Sequence, residues 1–367
     1  LKHSSDWNLG REATLSSGLS PLTPGITLQR ACGTGLDTVI TIANKIALGQ
    51  IDAGIGGGSD TTSDVPIAVN KKLRRRLLNL NMAKSFGQRL GAAVKGFSFA
   101  EFKPEFPGVS EPRTRKSMGE HCEMMAKEWQ IPRAEQDQLA YESHKKAAAA
   151  YERGFFKDLV VPFRGLERDN ILRADTSLEK LASLKPAFDK SSGQGTLTAG
   201  NSTNLSDGAS AALLASENWA REHGKEVLAY FVDAQVAAVD FEHGEGLLMA
   251  PTIAVAQLLK RNNLSLQDFD FYEIHEAFAA QVLCTLKAWE SDEYCRTRLG
   301  LEAALGSIDR SKLNVVGSSL AIGHPFAATG ARIVATTAKL LQERGSGRAL
   351  ISICTAGGMG VVAIIER

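Results

Sequence analysis

Two cysteines and two histidines carry the chemistry this sequence can do. Cys32 stands in Gln29-Arg30-Ala31-Cys32-Gly33-Thr34-Gly35-Leu36, where small residues open a helical pattern of Leu36, Val39, Ile40, Ala43, Ile46 and Ala47. A cysteine at a helix start faces free N–H groups and the positive end of the helix dipole, which favour the thiolate, the nucleophilic form. Cysteine is also often a buried structural side chain, and this segment alone leaves both readings open. Cys354, in Cys354-Thr355-Ala356-Gly357-Gly358-Met359-Gly360, follows an apolar stretch directly and carries the same two readings. His324 lies between Gly323 and Pro325 on a tight strand-to-helix turn, where side chains face ligand crevices or bond to backbone. His275, in Tyr272-Glu273-Ile274-His275-Glu276-Ala277-Phe278-Ala279, has a similar position, with helix capping as its alternative. Brought together, the four groups would form an acyl-transfer site. One thiolate attacks, a histidine takes its proton, and the second thiol shuttles a proton. Histidine and backbone N–H groups then hold an oxyanion.

Such convergence needs elements that end at one place. Residues 53–58 read as a short strand of small residues. Helices are expected over 118–129 and 134–153, the second opened by Ala134-Glu135-Gln136-Asp137 after Pro132. Residues 208–214 read as a buried strand, and 265–273 lead into a helix at Glu276. Strands at 313–316 and 349–353 flank a helix over 331–343. Strands alternating with helices indicate an α/β fold. A strand, Gly-rich turn and apolar strand pattern occurs over 199–215 and again over 354–365, as in the ends of two similar halves.

With 367 residues the chain should hold two or three packed units, and 44% hydrophobic with 23% charged residues is an ordinary globular composition. A net charge of +1 leaves no broad basic field for nucleic acid. Five scattered cysteines exclude a disulfide framework and fit a reducing compartment, the cytoplasm or one such as the mitochondrial matrix. No apolar run is long enough for a membrane span, and the first residues lack a signal-peptide pattern. The basic cluster Lys71-Lys72-Leu73-Arg74-Arg75-Arg76 reads as a solvated charged loop, with the phosphates of a ligand, a partner or an anionic surface as alternatives.

From Asn8 to Arg367, the Cys32 segment, His-Glu-Ala-Phe at 275–278, Gly-His-Pro at 323–325 and Cys-Thr-Ala-Gly-Gly at 354–358 resemble the thiolase family in order and spacing. His275, where many members have Asn, and Gly-His-Pro-Phe-Ala-Ala-Thr-Gly resemble the fatty-acid β-oxidation branch that includes β-subunits of trifunctional complexes. The resemblance implies a thiolase-like α/β fold. Two similar βαβαβαββ halves would form a layered α-β-α-β-α core with an inserted helical loop domain. The boundaries expected are 1–61 and 196–217 for the N-terminal half, 62–195 for the insert covering the CoA site, and 218–367 for the C-terminal half.

By the same resemblance, Cys32 activated by His324 attacks the 3-keto carbon of a 3-ketoacyl-CoA and becomes an acyl-thioester. Cys354 protonates the departing acetyl-CoA enolate, then deprotonates the incoming CoA. His324 and His275 hold the enolate oxygen, and the N–H groups of Cys32 and Ala356 hold the tetrahedral oxyanion. Met118, Ser216, Ala277 and Phe278 match pantetheine contacts, and Lys185 matches a basic residue near the nucleotide end of CoA. No metal and no permanently bound cofactor is implied, with CoA as co-substrate. A homodimer or homotetramer is implied, and for this branch a separate hydratase–dehydrogenase partner subunit.

Three departures stand out. Ala356 replaces a common glycine, so the backbone there must tolerate a Cβ. Ser117 stands where some members have histidine. Only 31 residues precede Cys32, where the family places a complete strand-helix-strand, so Leu1 is not expected to be the natural start. Two other classes remain: a ketoacyl-synthase-type condensing enzyme with two histidines, which needs no second thiol, and a non-catalytic acyl-CoA-binding subunit.

Overall fold

Small side chains decide how closely the helices of this chain approach one another. The computed structural model describes residues 8–367, which form two compact units. The smaller holds residues 8–27 and 61–109, the larger residues 28–60 and 110–367.

In the smaller unit, α1 (Leu9–Ser16) is capped by Asn8. Both α3 (Lys71–Met82) and α4 (Phe86–Val94) also lie here, α4 opening on a reciprocal capping box between Ser85 and Gln88. The basic cluster opens α3. Of its members, Arg76 turns inward and meets the buried Glu101 through two nitrogens at 2.8 Å each. Lys71, Lys72, Arg74 and Arg75 are exposed.

The larger unit begins with α2 (Thr34–Ala47) and β1 (Ala53–Asp60). Two expected helices follow as α5 (Met118–Glu128) and α6 (Arg133–Glu152), then the short α7 (Leu178–Ala182). Next come β2 (Gly208–Ala215), α8 (Glu217–Glu222), β3 (Tyr230–Ala238), α9 (Ala250–Asn262) and β4 (Phe271–Ile274). The chain closes with α10 (Ala279–Glu290), α11 (Asp292–Thr297), α12 (Ser319–Ile322), α13 (Thr329–Arg344), β5 (Arg348–Thr355) and β6 (Met359–Glu366).

Two sheets sandwich a pair of helices. β1 and β2 pair antiparallel, while β3-β6-β5-β4 form a four-stranded sheet in which only β4 and β5 run parallel. Helices α2 and α13 lie between the sheets, with Leu36, Val39, Ile333 and Val334 meeting Ile351, Ile353, Val361 and Ala363. The opposite faces of β5 and β6 present Leu350, Val362 and Ile364 to Val255 and Leu258 of α9 and to Val282 and Trp289 of α10. This is the period-2 alternation of a strand buried on both faces. Close crossing of α2 and α13 depends on glycine: a Cβ at Gly330 would fall 2.1 Å from the Leu36 amide nitrogen.

Several local expectations change. Residues 208–214 are a strand but not a buried one, because β1 and β2 form a two-stranded sheet with one face bare, and Leu213 is 54% exposed. The 199–201 segment is a turn, so the two Gly-rich segments differ: only 354–365 forms a complete hairpin. No helix begins at Glu276; residues 275–278 are irregular, with a bend at Ala277, and α10 starts at Ala279. The strand expected at 313–316 is reduced to one bridge, Leu313 to Tyr272. Asn314 takes a φ of +44°, which bends the chain out of extension. Its side chain then completes the ladder: Ile274 N–H donates to Oδ1 and Nδ2 donates to Ile274 C=O, both at 2.9 Å. Among the described residues no helix is long and apolar enough to cross a membrane.

Candidate active site

The nucleophile segment opens on a single 3₁₀ turn, Ala31–Gly33, immediately before α2. Ala31 holds a φ of +43°, a left-handed conformation that costs about 1–3 kcal/mol for a residue with a Cβ and collects at functional sites. Cys32, just after it, is 6% exposed. His324 reaches it from the Gly-His-Pro turn, with Nε2 3.0 Å from the Cys32 sulfur. The other nitrogen, Nδ1, lies 2.6 Å from the Thr329 hydroxyl at the start of α13. For Nε2 to take the thiol proton, Nδ1 must carry its own hydrogen and the Thr329 oxygen must accept it.

His275 sits beside this pair, its ring centroid 4.3 Å from that of His324. It is not a helix cap, since Phe278 occupies that position and makes no side-chain capping bond. His275 Nδ1 lies 2.8 Å from the Ser319 hydroxyl, whose oxygen also accepts from Arg332 Nη2 at 2.8 Å. His275 Nε2 is buried with no protein partner. The next residue, Glu276, clamps the segment: it accepts from Ser143 Oγ at 2.7 Å, Asn314 Nδ2 at 2.7 Å and the Leu320 amide at 3.1 Å.

Cys354, the next-to-last residue of β5, is buried, and burial together with the nearby Cys32 pushes its thiol well above the ordinary range. The turn that follows bends through Gly357 and Gly358 at φ +78° and +69°. Ala356 is not in the left-handed region, so its Cβ is tolerated, and its N–H favours the charged form of the Cys32 thiol. The Gly357 N–H donates to Glu111 at 2.8 Å, which fastens the turn from outside the recognised motifs.

Burial overrides the helix start. It pushes the Cys32 thiol up to about 12, against the N–H groups of Ala356 and Cys32 that favour the thiolate. Burial also lowers His324 to about 3, with Arg332 adding to the effect. Burial thus opposes charge on both members of the pair, against the thiolate that the helix position alone favours.

The expected binding residues divide. Met118, Ala277 and Phe278 share one apolar cluster with Cys354. Ser117 caps α5 through a box with Glu120. Lys185 is exposed, on the loop that follows α7. Ser216 is not brought to the site. β2 begins at Gly208 against Pro325, and eight strand residues carry Ser216 about 25 Å away, where its hydroxyl caps α8. Sequence reasoning missed Thr329, Ser319, Arg332, Glu111 and Asn314. Of these, only Thr329 carried a signal, as part of the Gly-His-Pro-Phe-Ala-Ala-Thr-Gly stretch.

Comparison with known proteins gives a consistent result. The thiolase N-terminal domain model matches residues 1–218 and the thiolase C-terminal domain model residues 225–367. A 3-ketoacyl-CoA thiolase of Vibrio cholerae is 43% identical over 365 residues, 98% of this chain and 83% of that protein. One from Pectobacterium carotovorum is 42% identical, covering 98% and 82%. The structure of human mitochondrial 3-ketoacyl-CoA thiolase superposes with a TM-score of 0.80 at 28% identity, over 99% of this chain and 84% of that one. A Bacillus anthracis acetyl-CoA acetyltransferase structure gives 0.79 at 32% identity, over 100% and 84%. The chain belongs to the thiolase family.

Proposed function

We propose that this chain is a 3-ketoacyl-CoA thiolase, an acyltransferase of fatty-acid β-oxidation that cleaves 3-ketoacyl-CoA with CoA to acetyl-CoA and a shortened acyl-CoA. The observation that carries the reading is the 3.0 Å approach of His324 Nε2 to the Cys32 sulfur, with His275 and Cys354 beside it. The Cys32 proton passes to His324 Nε2 as the sulfur attacks the 3-keto carbon. Transferring the proton only during attack avoids holding a charged pair in a dry site. The N–H groups of Cys32 and Ala356, which both favour negative charge at the sulfur, hold the oxyanion of the adduct. When the carbon–carbon bond breaks, the electron pair moves onto the thioester oxygen of the leaving acetyl-CoA. His275 Nε2 and the protonated His324 stabilise that enolate. The Cys354 thiol gives its proton to the enolate carbon, and its thiolate then takes the proton of the incoming CoA, which attacks the acyl group on Cys32; the Cys32 sulfur leaves and takes back the proton held on His324.

Met118, Ala277 and Phe278 are read as the apolar bed of the pantetheine arm and Lys185 as a contact for the nucleotide phosphates. Residues 62–195 are read as the loop domain over CoA. A homodimer or homotetramer, a hydratase–dehydrogenase partner and a reducing compartment, cytoplasm or matrix, complete the reading. Five free cysteines support the last point. The test is a thiolysis rate series across short, medium and long 3-ketoacyl-CoA substrates. Acetyl-CoA release that requires CoA is expected. Decarboxylative condensation without thiolysis would favour the condensing enzyme, and no turnover at any chain length a binding subunit.

A further inference from the structure

We propose that Arg332, acting through Ser319, fixes the tautomer of His275 and makes its Nε2–H a standing donor toward the site; the use of that donor rests on the thiolysis reading above. The argument is one of counting hydrogens. A guanidinium has donors only, and Arg332 Nη2 at 2.8 Å occupies one lone pair of the Ser319 oxygen. Ser319 is 0% exposed, and His275 Nδ1, at 2.8 Å, is its other partner. If Nδ1 carried the hydrogen and donated to Ser319, the serine hydroxyl hydrogen would lack an acceptor in a buried place. If the serine hydroxyl donates to Nδ1, the hydroxyl and Nδ1 satisfy each other and only the Nε2–H of His275 is left without a protein partner, while Arg332 Nε is unpaired in either form. The Nδ1–H form leaves two groups unmade, the hydroxyl hydrogen and the Nε2 lone pair, against one in the Nε2–H form, a difference that skews the tautomers by about tenfold. The cation also polarises the hydroxyl it touches and makes it the better donor. The hydrogen of His275 is thereby left on Nε2, the atom that has no protein partner.

The surrounding structure holds the relay in place. Arg332 lies one turn beyond Thr329 on α13, so one helix face serves both rings, Thr329 at His324 and Arg332 at His275. Ser319 is fixed because the neighbouring Leu320 amide donates to Glu276, the residue beside His275, at 3.1 Å. Asp169, Glu273 and Glu276 offset the burial that works against the Arg332 charge. Burial, His324 and Arg332 all oppose protonation of His275, so it stays a neutral donor. One consequence concerns metals. Cys32, His275 and His324 offer ligand atoms within 4.8 Å of one another, a spacing that could hold a cation. A cation would need the lone pair of His275 Nε2, which the relay replaces with a hydrogen.

The test is the two-bond nitrogen–proton pattern of ¹⁵N-histidine-labelled resting protein, with the His275 signals assigned by their loss in His275→Asn. The wild type is expected to show the Nε2–H pattern. Ser319→Ala and Arg332→Met should each shift His275 toward Nδ1–H or a mixture, while Ser319→Thr and Arg332→Lys, which keep hydroxyl and donor, restore it. In thiolysis, kcat should fall about tenfold in the first two with KM moved by less than about threefold, since the donor acts on developing charge. Arg332→Lys with the wild-type pattern beside a shifted Ser319→Ala keeps the test decisive if Arg332→Met does not fold. A wild type already in the Nδ1–H form, or an unchanged pattern in Ser319→Ala, overturns the relay. A shifted pattern in a protein without thiolysis would leave the relay standing and remove the proposed function instead.

Discussion

Asn314→Ala tests how the fold carries His275 to the nucleophile. The Asn314 side chain replaces a strand residue beside β4, and its loss strands three groups at once. The Ile274 N–H and C=O, each paired to it at 2.9 Å, and Glu276 Oε1, paired at 2.7 Å, lose their partner in the core. Each buried group left unmade costs about 1–3 kcal/mol, and sharing within one network keeps the total below the simple sum, so about 3–6 kcal/mol is expected. Asn is also favoured at φ +44°, which adds a few tenths against Ala. The assay is urea unfolding followed by circular dichroism, with the midpoint lowered and the slope unchanged. Because Ile274 and Glu276 flank His275, kcat should fall together with stability, even below the temperature at which the variant unfolds. A loss under about 1 kcal/mol, or full stability with lost activity, would refute the view that this side chain stands in for a strand.

Three more expectations follow from the site. With the Cys32 thiol pushed up to about 12, alkylating Cys32 at pH 7 should remove no ultraviolet thiolate absorbance; loss of one thiolate equivalent would show a resting ion pair. Burial raises Glu273 to about 8 from 4.5, so the native state binds more protons between those values, and its contribution to stability is lost as pH rises from about 4.5 to 8. His324, lowered to about 3 from 6.5, acts in the opposite sense, its contribution being lost as pH falls from about 6.5 to 3. Glu273→Gln should therefore flatten the decline of unfolding free energy above pH 5, and an unchanged slope would contradict the assignment. Gly358→Ala places a Cβ 2.6 Å from the Phe241 ring at φ +69° and should destabilise by about 1–3 kcal/mol in denaturant unfolding; a neutral result would show that the turn relaxes.

Cys32, His324 and Cys354 were legible because each stands in a short motif of small residues with glycine or proline, and His275 because it follows directly on an apolar strand segment. What surrounds them was not legible. Thr329, Ser319 and Arg332 act through pairings of residues 5, 44 and 13 positions apart, and no periodicity marks such a partner. Asn314 hid inside an apolar run that reads as a strand, because a side chain can imitate a ladder that the backbone leaves. The ionisation of Cys32 failed as a local inference. The helix start supplies about 0.3–1 kcal/mol to a thiolate, and burial in a dry site outweighs it. Ser216 failed for a similar reason: its place at a strand end was right, but the wrong end faced the site.

The division of labour between the two thiols is the central claim, and it is tested by mass spectrometry of the protein quenched in acid during turnover with 3-ketoacyl-CoA. An acyl group shortened by two carbons should appear on the peptide that contains Cys32 and vanish in Cys32→Ser; in Cys354→Ala it should form slowly, because the enolate lacks its acid, and resist added CoA, because the incoming thiol lacks its base. An acyl group on Cys354, or full thiolysis in Cys354→Ala, would contradict the account.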